Sequence, residues 1–102
     1  MSRAWVYVLR CADGSYYVGS TTNLHQRIGQ HDSGMYGGYT AARRPVKLVW
    51  SKEFSDVRDA IEAERKLKKW TRAKKEALMN GDFDLLRELS RSTKTKKKLS
   101  RT

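Results

Sequence analysis

Five side chains in this 102-residue chain have types and spacing suited to work on a phosphodiester. Tyr7 and Tyr17 lie ten residues apart, Arg27 and His31 are one helical turn apart, and Glu64 sits among apolar residues. Hydrolysis of such a bond needs a carboxylate to hold a divalent cation, a guanidinium to balance charge on the phosphoryl oxygens, and a base for the attacking water. Mg²⁺ keeps most of its waters, so one protein carboxylate together with substrate oxygens suffices to bind it. A phenol is a poor base at its ordinary pKa of about 10, and a nearby cation and guanidinium would lower that value. Each residue also has a plainer reading. Strand tyrosines pack cores, Arg27 could close a buried ion pair with Glu64, and His31 could cap the C-terminus of its own helix. No residue of the five is specific alone; the combination is, if one cleft gathers them.

The elements that would gather them can be read from periodicity. Residues 5–11 and 16–20 are β-branched and aromatic runs separated by Asp13-Gly14, a hairpin signal. Two loops are open. A two-residue turn at Asp13-Gly14 puts Tyr7 and Tyr17 on opposite faces of the hairpin. A three-residue loop with Gly14 left-handed pairs Cys11 with Ser15, sets Tyr7 opposite Gly19, and places both tyrosines on one face. Next, Thr21 or Thr22 caps a helix running to about Asp32 and closed by Gly34, with Arg27 and His31 on the same side as Leu24 and Ile28. Residues 34–44 read as a flexible loop closed by Pro45, and residues 46–50 as a third strand. A helix then starts near Ser55 or Asp56. Its apolar stripe is Val57, Ala60, Ile61 and Leu67, and Glu64 falls inside the stripe, whereas Glu62 falls outside it. A carboxylate in that position needs a partner. The expectation is a Glu64 that opens to a cleft with Arg27 nearby. A further helix spans residues 71–79, stopped by Asn80-Gly81, and Asp82 caps a short one after it.

The charge is strongly basic, with 22 Lys and Arg against 11 Asp and Glu, a formal +11. Six of those net charges belong to residues 91–102, where Arg91, Lys94, Lys96, Lys97, Lys98 and Arg101 occur with no acid. That stretch reads as a disordered, polyanion-binding tail on a single folded domain of residues 1–90. A second basic block, Arg65, Lys66, Lys68, Lys69, Arg72, Lys74 and Lys75, contains no acid either and lies within the helices. Clustered cations on a folded surface are the electrostatic footprint of a nucleic-acid binder, and Arg65, Lys68, Lys69, Arg72, Lys74 and Lys75 are its candidate phosphate contacts. Other classes fall away. No apolar run reaches the ~20 residues of a membrane span, and no signal-peptide core is present, so the expected compartment is the cytoplasm. The single cysteine, Cys11, forms no internal disulfide, and the chain lacks both a phosphate-binding Gly loop and a G-x-S-x-G elbow.

Val6-Tyr7-Val8, then Tyr17-Val18-Gly19, then Arg27 with His31, then Ala63-Glu64 followed by Leu67-Lys68, together resemble the GIY-YIG nuclease superfamily over about residues 4–80, in particular its small single-domain bacterial members. The resemblance implies an α+β fold, a three-stranded antiparallel β-sheet flanked by α-helices. It implies a metal-dependent endonuclease that cleaves the nucleic-acid backbone with an activated water, using Mg²⁺ or Mn²⁺. By the same resemblance Tyr17 is the base, Tyr7 supports it, Arg27 contacts the scissile phosphate, Glu64 holds the metal, and His31 helps position water or substrate. Three positions depart from the pattern: the first tripeptide is Val-Tyr-Val, Ser20 stands where some relatives have Lys, and Glu76 where others have Asn. The chain has no room for a separate recognition domain, so the expected substrate is nucleic acid, DNA ahead of RNA, cut with structural preference and weak sequence specificity. No obligate protein partner is evident. The competing reading is a nucleic-acid-binding module that keeps the fold with little or no catalysis.

Overall fold

The computed structural model describes residues 3–88; the expected basic tail, residues 91–102, lies outside them. Strand β1 (Ala4–Arg10) is central in a three-stranded antiparallel sheet of order β2-β1-β3, with β2 (Tyr16–Thr21) on one edge and β3 (Lys47–Phe54) on the other. The central place follows from composition. Val6, Tyr7, Val8 and Leu9 are consecutive, and all four are buried, as only a strand covered on both faces permits.

The three-residue loop is the one that forms. The Cys11 amide donates to the Ser15 carbonyl (2.8 Å), Gly14 is left-handed at φ 86°, and Tyr7 pairs with Gly19 and Leu9 with Tyr17. Asp13 stiffens the loop by accepting from the Ser15 amide and hydroxyl, at 3.0 and 2.6 Å. β3 runs on to Phe54, past the reading of residues 46–50, and a bulge between Val8 and Leu9 shifts its register from Trp50 to Leu48. Beyond Trp50 it continues through Ser51, Lys52 and Glu53, which are polar and all exposed, so no apolar alternation marks this part as strand.

Helix α1 (Leu24–Ser33) is capped by Asn23, whose side chain accepts from the Gln26 amide at 3.1 Å, and it closes on left-handed Gly34. Thr21 and Thr22 are therefore not the cap; Thr21 instead accepts from the Asn23 amide at 3.1 Å, bracing the residue that is. Residues 34–44 are not a plain loop. They hold a four-residue helix, α2 (Gly38–Ala41), with Thr40 buried. Gly37 and Gly38 at φ 73° and 63° turn the chain into it, and the same glycines suggested a loop in sequence. Helix α3 (Val57–Lys69) packs on β1 and β2, and Ala60 and Leu67 of its predicted stripe are buried.

The contacts divide the chain into two compact units, residues 1–69 and a second unit that begins at Trp70. In the second, α4 (Arg72–Met79) is capped by Thr71, which accepts from the Lys74 amide at 3.2 Å, and is ended by Gly81 at φ 71°. Asp82 caps a following turn of helix, residues 83–88, by accepting from the Leu85 amide at 3.1 Å. Among the described residues no helix is long and apolar enough to cross a membrane.

Candidate active site

Strand pairing brings the tyrosines together. With Tyr7 opposite Gly19 and Tyr17 diagonal to it, their rings lie 6.3 Å apart, and the missing side chain at Gly19 makes the approach possible. A Cβ at residue 19 would sit 2.5 Å from the Tyr7 hydroxyl oxygen, 2.6 Å from its Cζ and 3.1 Å from Cε2 of Tyr17. Gly19 is thus a requirement of the site.

His31 comes from α1 to the same face. It is fully buried, with Nε2 2.9 Å from the Tyr7 hydroxyl and Nδ1 2.7 Å from the Thr40 hydroxyl. Its side chain does not cap its helix; only its backbone carbonyl meets the closing Gly34 amide. Tyr17 and Tyr36 flank the imidazole, at 5.0 and 4.3 Å between centroids. Burial, with the nearby positive charge of Arg27, holds His31 below its ordinary pKa of 6.5 and keeps it neutral.

Arg27 is held by two groups. Its Nε donates to Gln30 at 3.2 Å, its Nη1 donates to the Tyr36 hydroxyl at 3.2 Å, and its Cζ lies 4.6 Å from the Tyr36 ring centre. Its positive charge also lies within electrostatic reach of the Tyr7 phenol and favours its ionised form. Even so, burial dominates for that phenol, and Tyr7 is pushed up to about 12. Tyr17 is raised as well, first by burial and then by the neighbouring Tyr36 and Tyr7. The guanidinium lowers Tyr7 as expected, but among the protein's own groups desolvation outweighs it.

Glu64 reaches the site from α3. Its carboxylate accepts from the Ser20 hydroxyl at 2.5 Å and pairs with Lys68 at 2.8 Å, with 19% of the side chain exposed. Its negative charge raises both phenols, which places it within electrostatic reach of them. The partners of Arg27 are Gln30 and Tyr36, and those of Glu64 are Ser20 and Lys68; the two residues form no ion pair with each other. Tyr7, Tyr17 and His31 therefore meet on one face of the β1–β2 pair with Arg27 beside them, whereas Glu64 is held by Ser20, which alternates with Gly19 along β2, and lies within electrostatic reach of both phenols. Ser20, Tyr36, Tyr39 and Thr40 belong to the cluster as well. Only Ser20 had a signal in sequence, as a departure from the family pattern.

The basic block divides between the units. Arg65, Lys68 and Lys69 close α3, with Lys68 already paired to Glu64; Arg72, Lys74 and Lys75 lie in α4, where Arg72 pairs with Glu76 at 3.1 Å and Lys74 lies 5.8 Å from the Trp70 ring. Among the described residues no group of three or more His, Cys, Asp and Glu side chains could hold a metal. A single partly exposed carboxylate does fit a cation such as Mg²⁺ that retains its water shell.

A small antiparallel sheet that carries two phenols, an arginine and a histidine on one face, with a carboxylate within electrostatic reach, defines a nuclease-type domain, and the comparisons agree. The GIY-YIG catalytic domain family matches residues 3–77, and the chain belongs to that family. Its relatives include small proteins designated UPF0213. One from Streptococcus pneumoniae serotype 4 is 43% identical over 82 residues, 80% of this chain and 83% of that one. One from Bacillus subtilis is 47% identical over 70 residues, 69% and 71% of the two chains. Two solution NMR structures share the fold. A UPF0213 protein of Bacillus halodurans has a TM-score of 0.52 at 40% identity over 76% of this chain and 83% of its own. A protein of E. faecalis has a TM-score of 0.56 at 39% identity, over 83% and 90%.

Proposed function

We propose that the protein is an endonuclease that hydrolyses phosphodiester bonds of DNA with an activated water and a divalent cation. The observation that carries this reading is the gathering of Tyr7, Tyr17, Arg27 and His31 on one face of the hairpin, with the Glu64 carboxylate within electrostatic reach of both phenols. A bound Mg²⁺ or Mn²⁺ would be held by Glu64 and would supply charge to the phosphoryl oxygens. Arg27, fixed by Gln30 and Tyr36, grips the scissile phosphate. Tyr17 is partly exposed, where Tyr7 is fully buried, so Tyr17 takes the proton of the water and Tyr7 supports it. A phenol raised above its ordinary value is scarcely ionised at neutral pH but strongly basic once ionised. Cleavage therefore rises with pH through the neutral and alkaline range, by about tenfold per pH unit while that ionisation limits the rate. The cations of α3 and α4 contact the flanking phosphates without reading bases, consistent with weak sequence specificity.

One feature favours the second reading, a binding module with little catalysis: both carboxylate oxygens of Glu64 are engaged, one by Ser20 and one by Lys68. The test is incubation of the purified protein with single-stranded, duplex and branched DNA plus Mg²⁺ or Mn²⁺. Nicking that is lost in Glu64→Gln and Arg27→Ala supports the enzyme. Salt-sensitive binding without nicking, unchanged in Glu64→Gln, supports the module.

A further inference from the structure

Tyr7, His31 and Thr40 form a buried line of three polar groups, and counting donors fixes the direction of its hydrogens. A guanidinium has donors only, and the charge of Arg27 lies within electrostatic reach of the Tyr7 oxygen, which turns its lone pairs toward that charge and its hydrogen away. The Tyr7 hydroxyl hydrogen is then left for Nε2 of His31, 2.9 Å away. A neutral imidazole carries one N–H, so with Nε2 accepting, that hydrogen is on Nδ1, 2.7 Å from the Thr40 oxygen. The opposite arrangement has Thr40 donating to Nδ1 and Nε2–H donating to Tyr7. It would bring the Nε2 hydrogen and the charge of Arg27 to the same phenol oxygen and force the hydroxyl hydrogen of a fully buried residue away from the imidazole.

We propose that Thr40 is a positioning residue of the site: by accepting the Nδ1 hydrogen of His31 it keeps Nε2 an acceptor, which holds the Tyr7 hydroxyl hydrogen on the imidazole and leaves the lone pairs of the phenol oxygen to the site. The proposal rests on the nuclease reading only for its catalytic consequence. Thr40 is 1% exposed and is the single buried residue of α2, a four-residue helix entered through two left-handed glycines. That short helix carries the hydroxyl nine residues past His31 back to the imidazole. The arrangement parallels the second-layer partners that fix the tautomer of histidines in other sites, where the histidine's far nitrogen decides what its near nitrogen can do.

The experiment compares the parent with Thr40→Val, which keeps the shape and removes the hydroxyl, and Thr40→Ser, which restores it. Long-range ¹H–¹⁵N NMR reads the tautomer of His31, with exposed His25 as the internal reference. The parent and Thr40→Ser are expected to carry the hydrogen on Nδ1, and Thr40→Val to shift toward Nε2–H. Cleavage by Thr40→Val is expected to fall about tenfold in kcat with KM for DNA unchanged, as loss of one orienting hydrogen bond predicts, and to recover in Thr40→Ser. A parent with Nε2–H, or a tautomer indifferent to Thr40→Val, overturns the proposal. If Thr40→Val does not fold, the parent tautomer and Thr40→Ser still decide it. An Nδ1–H parent that cuts nothing would sink the nuclease reading and leave the positioning role standing.

Discussion

The site has two halves built on different principles. In the half formed by Tyr7, Tyr17, His31 and Thr40, the polar groups lie between a sheet and two helices. Both imidazole nitrogens have a partner, and neighbouring rings lie 5.0 to 6.3 Å apart. In the other half, Glu64 is held by a strand hydroxyl and by Lys68, whose side chain is 54% exposed. The first half is fixed from within, and its geometry is part of the fold. The second is held by a partner that water can replace. Changes in the buried half should therefore cost stability together with activity, whereas changes at the carboxylate should cost activity alone.

The largest stability effect is expected at Gly19. Alanine there meets the Tyr7 ring at 2.5–2.6 Å, and that ring is pinned by His31 and fully buried, so it has nowhere to move. Overpacking of this kind costs about 1–3 kcal/mol. In a domain of this size that is a fall of about 4–8 °C in Tm per kcal/mol, measurable by thermal melting. Glu64→Gln should instead melt within about 0.5 kcal/mol of the parent while losing about 100- to 1000-fold in cleavage, since it removes the ligand and little packing. Equal destabilisation by the two substitutions would break the distinction between the halves.

How much of this could be read in the sequence follows the same division. Local chemistry was legible. Asp13-Gly14 offered two loops, one of which forms; Gly34 marked the end of α1; and the 3.6-residue period placed Glu64 inside an apolar stripe. Partnerships across the fold were not. Ser20 meets Glu64 across 44 residues, and nothing in either neighbourhood announces it. α2 was hidden because Gly37 and Gly38, which make its entry possible, are also what a loop contains. Thr40 was hidden with it. A threonine signals a role only once the histidine it faces is known. The weight of burial on the phenols was hidden for a related reason. Charge can be counted in a sequence, but the desolvation that outweighs it depends on burial that only the folded chain supplies.

A smaller effect tests the buried half through pH. His31 is depressed below 6.5 in the folded protein, so the unfolded chain binds the proton more readily. Between that folded value and 6.5 the unfolded state carries more protons, and stability rises with pH. Above 6.5 the contribution is fully present, and it is lost as pH falls through the window. Thermal midpoints taken from pH 5 to 8 should climb and then flatten, and His31→Gln should remove the climb. A midpoint that falls as pH rises would mean that the imidazole is charged in the fold, with both nitrogens donating, and Nε2 would then donate to Tyr7 where the proposal has it accept.

The smallest effect belongs to the open half. An exposed i, i+4 pair such as Lys68–Glu64 contributes about 0.3–0.5 kcal/mol, so Lys68→Met should leave the melting temperature almost unchanged. The same lysine nevertheless occupies an oxygen that a divalent cation would use. Freeing that oxygen relieves the competition, and removing a neighbouring positive charge adds to it. Mn²⁺ binding, measured by calorimetry, should therefore tighten by about 2- to 5-fold, the scale of a pair worth less than 1 kcal/mol. Lys68→Arg keeps the charge and should stay near the parent. If Lys68→Met binds Mn²⁺ no better, the lysine is no rival for the carboxylate. The 2.8 Å contact would then make Lys68 a fixed part of the site, and the contrast between a rigid half and an exchangeable half would fail where it is most exposed to water.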